Sequence, residues 1–540
     1  MPELTRGRRL VVLAICCMSL LIVSLDNTAL NVALPAMRRD LGATVAGMQW
    51  TIDAYTLVLA SLLMLAGSTA DRIGRRKVFV TGLAVFALGS LLCSLAPNLE
   101  ALIAFRAVQA VGGSMLNPVA MSIITNTFTE PAERARAIGV WGGVVGVSMA
   151  AGPLVGGVLV QSVGWRSIFW VNLPVALVAL LLTMKYVPES RAPRPRRPDP
   201  VGQLLVTVLL GSLTYAIIET DPLFAGIAAV ALIGLLLYEP RRREPLIDLR
   251  FFRSAPFSGA TVIAVCAFAS LGGFLFLNTL YLQDVRGLSP LSAGLWMLPM
   301  AGMTFVFAPL SGRLTASRGP RLSLLLAGTA MAAGPLLFAA FSAETSDGLL
   351  LTGYVVFGIG FGLVNAPITN TAVSGMPRAQ AGVAAAVAST SRQVGQTLGV
   401  AVIGTVLAAG LGATPQADAF VAAARPGYWI ITGCGLAVLA VGALTSGAWA
   451  RRTAERTARC LAPEEGREGG RGDGREGGRE GGQDKGRGDG REGDREEGQD
   501  KGRGDGREEG QDKGRGEDPE GGREDGREDG TQATAKAPSA

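Results

Sequence analysis

Among the charged side chains inside long apolar stretches of the chain, Asp26, Asp53 and Arg106 are the candidates for a functional role. On insertion scales a charge near the bilayer centre costs about 2.5 to 3.5 kcal/mol, so such a residue normally faces a cavity or an oppositely charged partner. A carboxylate in that setting can take up and release a proton, and it can also attract an organic cation. The sequence has no histidine, which excludes a histidine proton relay, a histidine metal ligand and a Ser-His-Asp triad. Proton transfer in this chain must therefore use carboxylates.

The stretches that carry these charges are runs of roughly 20 apolar residues, the length that a helix needs to cross a hydrocarbon core about 30 Å thick. They recur from Val11 to Gly447. A soluble core does not require such a series, so we predict an all-α integral membrane protein with fourteen transmembrane helices. Their expected ranges are about residues 11–34, 46–66, 78–96, 100–120, 137–160, 168–187, 202–219, 223–238, 258–281, 291–311, 321–341, 348–371, 382–409 and 427–449.

Basic residues concentrate in alternate loops between these helices. The poorer set of loops holds Arg38, Arg39, Arg166, Arg286 and Arg425. The richer set holds Arg72, Arg75, Arg76, Lys77, Arg134, Arg136, the arginines of 191–197 and 241–253, Arg313, Arg318, Arg321, Arg451 and Arg452. Because Lys and Arg in short loops are retained in the cytoplasm, we predict a multi-pass protein of the cell inner membrane with both termini cytoplasmic. The net charge of +6 follows this loop pattern, so no nucleic-acid partner is expected.

The loop between helices 2 and 3 reads GSTADRIGRRK over residues 67–77. Small residues let helix ends approach closely, and Asp71 can cap a helix or pair with a basic group across a closing interface. The loop resembles the signature loop of the major facilitator superfamily, with Thr69 where leucine is usual. The resemblance implies a gate that latches the cytoplasmic side shut, formed by Gly67, Asp71, Arg72, Gly74, Arg75 and Arg76.

A degenerate copy of that loop follows helix 10, with Ala316 in place of the aspartate. Two related halves of six helices would leave helices 7 and 8 as an insertion, which is the plan of the family's fourteen-helix drug:proton antiporter branch. The predicted parts are a cytoplasmic N-terminus at 1–10, an N-terminal bundle at 11–187, a linker with the inserted helices at 188–257, a C-terminal bundle at 258–450 and a tail at 451–540.

Other segments are similar to the same branch. They are 25–35 (LDNTALNVALP) in helix 1, 106–113 in helix 4, 148–157 in helix 5, 164–166 and 172–174 around helix 6, and 392–396 in helix 13. The helix 5 segment resembles the antiporter motif through Gly152, Pro153, Gly156 and Gly157. Pro153 removes a backbone donor and bends the helix, while the glycines leave a smooth face on which another helix can pivot. Tight packing without a mechanistic role is the alternative.

In the resembled fold helices 1 and 4 line the central cavity, which implies that Asp26 and Arg106 pair when the carboxylate is ionised. A motion that separates them would favour protonation of Asp26, and a cationic drug competing for the carboxylate would complete an exchange cycle. Asp53 is either a further coupling residue or part of an outer vestibule. The alternative for the pair is a purely structural role. The expected residues of the substrate cavity are Asn31, Gln109, Asn278, Asn365 and Gln393. Interhelical hydrogen bonding is an equally good account of Asn278, Asn365, Asn370 and Gln393.

We therefore predict a proton-coupled antiporter that exports hydrophobic or amphipathic drugs by alternating access. It is not expected to be an enzyme or to use a cofactor or metal, and the absence of a GxxxxGK[ST] loop excludes ATP binding of that type. The expected partners are a small organic substrate, protons and the lipid bilayer, and a monomer is expected. The alternatives are a dedicated exporter of one metabolite or antibiotic made by the host, and a membrane sensor or scaffold. The Gly, Arg, Glu and Asp tail from about residue 451 has almost nothing to bury and is expected to be disordered.

Overall fold

The computed structural model describes residues 5–461 apart from 193–197, 243, 340, 341, 343, 344, 375, 377–379 and 412–416. Within these residues the regular structure is helical, and fourteen helices are long and apolar enough to cross a membrane. The predicted number and order of transmembrane helices are therefore confirmed. The predicted disorder of residues 462–540 lies outside the described residues.

The helices are numbered α1 to α15 in chain order. Their bounds are α1 Arg6–Leu41, α2 Val45–Ile73, α3 Arg75–Ser94, α4 Leu99–Thr127, α5 Pro131–Ser162, α6 Ser167–Tyr186 with a break at Val171, α7 Pro200–Ile218, α8 Pro222–Tyr238, α9 Ala255–Leu280 with a π-helical turn at Tyr281–Val285, α10 Pro290–Arg318, α11 Pro320–Ala339, α12 Asp347–Val373, α13 Ala381–Gly410, α14 Ala417–Thr445 and α15 Ala448–Leu461. The largest difference from prediction among the transmembrane helices is at α14, which begins about ten residues earlier because the helix continues through Pro426.

Short polar residues and glycines set where these helices begin and end. The hydroxyl of Thr44 accepts from the Gly47 amide at the start of α2, and the Asn98 side chain accepts from the Ala101 amide at the start of α4. Each bond satisfies a backbone N–H that the first helical turn leaves free. Gly42 ends α1 with a φ of 62°, a left-handed conformation that other residues rarely adopt.

Twelve of the helices pack into two groups of six. The helices α1–α6 form the N-terminal half and α9–α14 form the C-terminal half, and the halves meet mainly through α2 with α13 and α5 with α10. The inserted helices α7 and α8 pack on each other, and α7 contacts both α2 and α13 at the seam. The loop after α1 marks one end of the bundle, here called the α1–α2 end, and the loop after α2 marks the other, the α2–α3 end.

The halves are bonded together at the α1–α2 end. The Gln49 side chain donates to the Ala401 carbonyl at 2.7 Å, and the Gln283 side chain donates to the Val32 carbonyl at 2.9 Å. A β-carbon placed on Gly157 of α5 would lie 2.7 Å from the Cα atom of Leu291 of α10. Backbones this close leave no room for a substrate, so this end of the bundle is closed.

The halves diverge toward the α2–α3 end. A β-carbon on Gly146 of α5 would still lie 3.0 Å from the Phe305 ring of α10. One and two turns nearer the α2–α3 end on the same face of α5, Gly143 and Gly139 would meet nothing within 4 Å, and neither would Gly312 of α10. This conformation is therefore open at the α2–α3 end, which the loop charges predict to be cytoplasmic.

The helix α15 corrects the predicted start of the tail. Residues 451–461 were expected to be disordered, but they belong to an amphipathic helix that buries Ala450, Ala454, Thr457 and Leu461. The Thr453 hydroxyl accepts from the Ala255 amide at 3.0 Å, which ties α15 to the start of α9. These four buried residues recur at helical spacing. The pattern is difficult to recognise in the sequence because the charged residues between them resemble the composition of the tail.

We expect single bulky residues on α5 to trap opposite conformations. Leucine at Gly157 would collide with α10 and hold the α1–α2 end open, whereas leucine at Gly143 would fit the present space and block closure of the α2–α3 end. Each 1.4 kcal/mol of steric cost shifts the two populations about tenfold. Spin-label distances between the halves at both ends, measured in a variant lacking the six native cysteines, test this directly. Identical distances in Gly143→Leu and Gly157→Leu would contradict this account of the two ends.

Candidate functional site

A buried ion pair joins α1 to α4 in the N-terminal half. The Arg106 Nη1 atom lies 2.5 Å from Asp26 Oδ2, and both side chains have no exposed surface. The pair that the sequence predicted from two isolated charges is thus in direct contact. An ionised carboxylate and a guanidinium both lose hydration here, so each depends on the other and on the hydrogen bonds around them.

Neutral amides complete the environment of the Asp26 carboxylate. The Gln109 and Asn172 side chains donate to Asp26 Oδ1 at 3.0 and 2.7 Å. The side-chain oxygen of Gln109, Oε1, accepts from Arg106 Nη1 at 2.7 Å. The Ser90 hydroxyl accepts from both amides, at 2.7 Å from Gln109 and 3.0 Å from Asn172. Side chains from α1, α3, α4 and α6 therefore hold the carboxylate in one position.

Helix α2 holds the other side of the guanidinium. The Arg106 Nε atom donates to the Thr51 carbonyl at 3.3 Å, and the Tyr55 ring lies 4.3 Å from the guanidinium carbon. A cation over an aromatic face gains electrostatic attraction, and the gain is larger when water is excluded. The backbone of α2 is consequently part of the Arg106 site, although no sequence pattern indicates it.

Asp53 lies in the closed interface between the halves. It shares the face of α2 that carries Gln49 and Thr56, and both of these residues bond to α13. Asp53 is fully buried; the Thr56 hydroxyl lies 3.5 Å from its Oδ1 atom, and its Oδ2 atom has no hydrogen-bond partner among the described residues. A buried carboxyl group without a cation is stable only in its neutral form.

The predicted gate loop is bonded to itself and to the segment that follows α6 in this conformation. Asp71 pairs with Arg75 at 2.7 Å, and the Arg75 amide donates to the Ser190 carbonyl. Gly74 has a φ of 131°, and the Glu189 carboxylate occupies the space beside it and accepts from the Arg76 amide. A β-carbon on Gly67 would be 3.7 Å from Pro118, and Arg72 is exposed. None of these described contacts reaches the C-terminal half.

The glycines of the predicted antiporter motif have different neighbours. Gly152 and Gly156 press α5 against Thr28 and Ala29 of α1, inside the N-terminal half. Gly157 faces α10. A β-carbon added to Gly294 of α10 would lie only 2.3 Å from the Pro153 carbonyl oxygen. Of this motif, Gly157 and Pro153 form the contact between the halves, while the other two glycines fix α5 on α1.

The five predicted cavity residues are not equivalent. Gln109 and Asn278 are fully buried, and the Asn278 side chain accepts from the Tyr354 hydroxyl at 2.9 Å, so neither lines an open space in this conformation. Asn31 is nearly buried and donates to the Asn27 carbonyl. Asn365 and Gln393 are partly exposed, on α12 and α13. The side-chain amides of Asn31, Gln109 and Asn278 thus each form hydrogen bonds within their own half of the protein.

This geometry defines a polytopic membrane protein of two six-helix halves with a charged network inside the first half. A family model described as Major Facilitator Superfamily matches residues 16–400. The chain belongs to the Major Facilitator Superfamily of membrane transporters.

Individual proteins show the same similarity. The multidrug resistance protein Stp of Mycobacterium tuberculosis (strain ATCC 25618 / H37Rv) is 37% identical over 406 residues, which cover 74% of this chain and 75% of that protein. The tetracenomycin C resistance and export protein of Streptomyces glaucescens is 37% identical over 418 residues, covering 75% and 77%. Among solved structures, a bacterial homologue of the human lysosomal transporter Spinster aligns with a TM-score of 0.58 at 19% identity over 84% of this chain and 99% of that one. The last comparison supports the fold alone.

The sequence alone does not show the roles of Asn172, Ser90 and Tyr55. These side chains are neutral, so they cost little in an apolar helix and give no signal comparable to a charge. Asn172 lay in a segment similar to the family, but nothing in the sequence indicated that it contacts Asp26.

We predict that removal of one charge destabilises the protein more than removal of both. Asp26→Leu leaves Arg106 buried without a counter-ion, which should lower the free energy of unfolding by about 3–5 kcal/mol, whereas Asp26→Leu with Arg106→Met should regain much of that loss. Thermal unfolding in detergent measures both. The exposed pair of Asp40 and Arg166, at 2.7 Å, is the control, and its loss should cost about 1 kcal/mol or less. A double variant no more stable than Asp26→Leu would refute the interaction.

Proposed function

We propose that the chain is a proton-coupled antiporter that exports hydrophobic or amphipathic organic compounds by alternating access. The observation that carries this proposal is the fully buried contact of 2.5 Å between Asp26 and Arg106. A charge pair in the membrane can separate at moderate cost only if a proton neutralises the carboxylate. The relatives supply the direction and the substrate class, since their names describe drug efflux and antibiotic resistance.

Helix α2 provides the mechanical link between proton and substrate movement. Its Gln49 and Thr56 side chains bond to α13, while its Thr51 carbonyl and Tyr55 ring hold Arg106. Opening of the α1–α2 end separates α2 from α13 and displaces these contacts with Arg106. The weakened ion pair then accepts a proton on Asp26. Return to the present conformation restores the pair and releases the proton toward the cytoplasmic end.

Asp26 acts in this scheme on protons and not directly on the substrate. It has no exposed surface in the conformation open at the α2–α3 end, so a substrate cation cannot touch it there. This replaces the competition between drug and guanidinium that the sequence suggested. Coupling is conformational, because both ligands act on the same movement of the two halves.

Asp53 makes closure of the α1–α2 end dependent on a second proton. It is buried between the halves without a cation among its described contacts, so the interface closes around its neutral form. The gate loop at 67–77 acts at the opposite end, where the halves are now apart. We assign the α2–α3 end, both chain termini and the gate to the cytoplasmic side because their loops carry most of the basic residues.

A second candidate is export of one dedicated compound. The similarity to the tetracenomycin C resistance and export protein favours it as much as the similarity to multidrug pumps favours a broad substrate range. Efflux assays with a panel of unrelated dyes and antibiotics separate the two, since a dedicated exporter moves one chemical class only.

The proton role of Asp26 predicts loss of coupling without loss of the fold. Asp26→Asn keeps the size and most hydrogen bonds but cannot ionise, so substrate-induced proton release should fall to the level of protein-free liposomes. Asp26→Glu should retain part of the signal, and the exposed Asp40→Asn should retain all of it. The assay uses proteoliposomes with an imposed pH gradient, with the inserted amount measured separately. Proton release by Asp26→Asn equal to that of the parent would move the coupling carboxylate elsewhere.

The proposed role of Asp53 predicts a change in pH dependence. Asp53→Asn imitates the neutral acid and should close the α1–α2 end at any external pH, so that transport no longer falls as the external side becomes alkaline. Transport rates at a series of external pH values, with a fixed internal pH, measure this. The partly exposed Asp221→Asn serves as the control. An unchanged pH profile in Asp53→Asn would assign Asp53 to structure alone.

A further inference from the structure

The C-terminal half contains one charged side chain deep in the membrane that no mechanism above uses. Arg392 lies about 17 Å along α13 from Ala381 and about 27 Å from Gly410, well within a hydrocarbon core about 30 Å thick. The other charged residues of α9–α14 lie nearer to a helix end, as Arg313, Arg425 and Asp284 do. Such a residue marks a functional site by default, because its insertion is costly.

The described surroundings of Arg392 are neutral. Its Nη2 atom donates to the Thr369 hydroxyl and, at 3.5 Å, to the Asn365 carbonyl, and the Phe268 ring lies 5.8 Å from the guanidinium carbon. No carboxylate of the described residues lies within 4.0 Å, and the buried Nε atom has no acceptor among them. Arg106 in the other half, by contrast, has a carboxylate at 2.5 Å.

A guanidinium presents five donors in a planar fork that matches a carboxylate or a similar oxygen pair. Arg392 uses Nη2 for two neutral acceptors and its Nε atom is buried, but the residue is partly exposed, so Nη1 is the nitrogen available to a ligand. Its neighbour Asn365 is also partly exposed. Arg392 thus has unused donors, a fixed position and access, which together constitute a binding site for an oxyanion.

We propose that Arg392 binds an anionic oxygen group, such as a carboxylate, on the exported compound. This inference rests on the proposed export function and identifies compounds that carry such a group beside an apolar body as preferred substrates. Thr369 and Asn365 orient the guanidinium, and Phe268 provides an aromatic surface next to it. The negatively charged headgroup of a lipid has the same chemistry, so the experiment must separate the two sources.

Rhodamine 110 and its methyl ester, rhodamine 123, form a matched pair of probes that differ only in a free carboxylate. Fluorescence anisotropy measures binding of each dye to the purified full-length protein in phosphatidylcholine nanodiscs. The parent should bind rhodamine 110 more tightly than the ester. Arg392→Gln should weaken rhodamine 110 binding about tenfold or more and change the ester less than twofold, since a charge-assisted hydrogen bond is lost for one dye only.

Two variants control for charge and fold. Arg392→Lys keeps the charge without the fork and should fall between the parent and Arg392→Gln, and Arg318→Gln removes an exposed arginine at the end of α10 and should leave both dyes unaffected. Equal loss of both dyes in Arg392→Gln would show a structural role for Arg392 and overturn the proposal. A parent that does not prefer the carboxylate dye would overturn it as well.

The lipid and transport arms separate the remaining explanations. Binding of rhodamine 110 that disappears when phosphatidylglycerol is added to the nanodiscs would assign Arg392 to lipid headgroups and reject a substrate subsite. Export of rhodamine 123 from proteoliposomes under a pH gradient tests the proposed function alone and should be equal in the parent and Arg318→Gln. No export of either dye by the parent would refute drug export, while the anisotropy data would still decide whether Arg392 binds carboxylates.

Discussion

The contact between Asp26 and Arg106 is the constraint on which the rest of the N-terminal half depends. Two opposite charges without exposed surface are stable only while each remains beside the other and the hydrogen bonds around them persist. Helix α1 carries Asp26, and α4, α6 and α3 supply the surrounding bonds through Gln109, Asn172 and Ser90. Movement of any of these helices therefore has an electrostatic cost that a proton on the carboxylate can relieve.

The alternation of faces along α2 connects that constraint to the movement of the halves. Gln49 and Thr56 face α13, with Asp53 between them, whereas the Thr51 carbonyl and the Tyr55 ring face Arg106. One rigid helix consequently contacts both the closed interface and the ion pair. The glycines add the mechanical freedom: α5 touches α10 closely at Gly157 and has open space at Gly143, so the two halves can rock about the region between them.

Charge and hydropathy predicted the transmembrane spans and the charges that need a partner inside them. The hydrogen-bond partners depend on how the helices pack, which the sequence does not show. Fourteen spans followed from apolar length, and Asp26 and Arg106 stood out because a charge in an apolar run demands a partner. Gln109 was assigned to a cavity because sequence cannot tell an amide that lines a space from one that ligates a buried carboxylate. The helix α15 was missed because its buried alanines lie among the charged residues that dominate the composition. Unused donors on Arg392 were invisible without the positions of its neighbours.

Proton coupling through Asp26 can be tested by measuring the protonation state of this residue in two trapped conformations at one pH. Infrared difference spectra of aspartate-labelled protein, with Asp26→Asn variants to assign the band, can be recorded for Gly143→Leu and Gly157→Leu. Coupling through the ion pair predicts an ionised Asp26 carboxylate when the α2–α3 end is held open by Gly143→Leu and a protonated carboxyl group when the α1–α2 end is held open by Gly157→Leu. The same protonation state in both variants would contradict coupling through this ion pair.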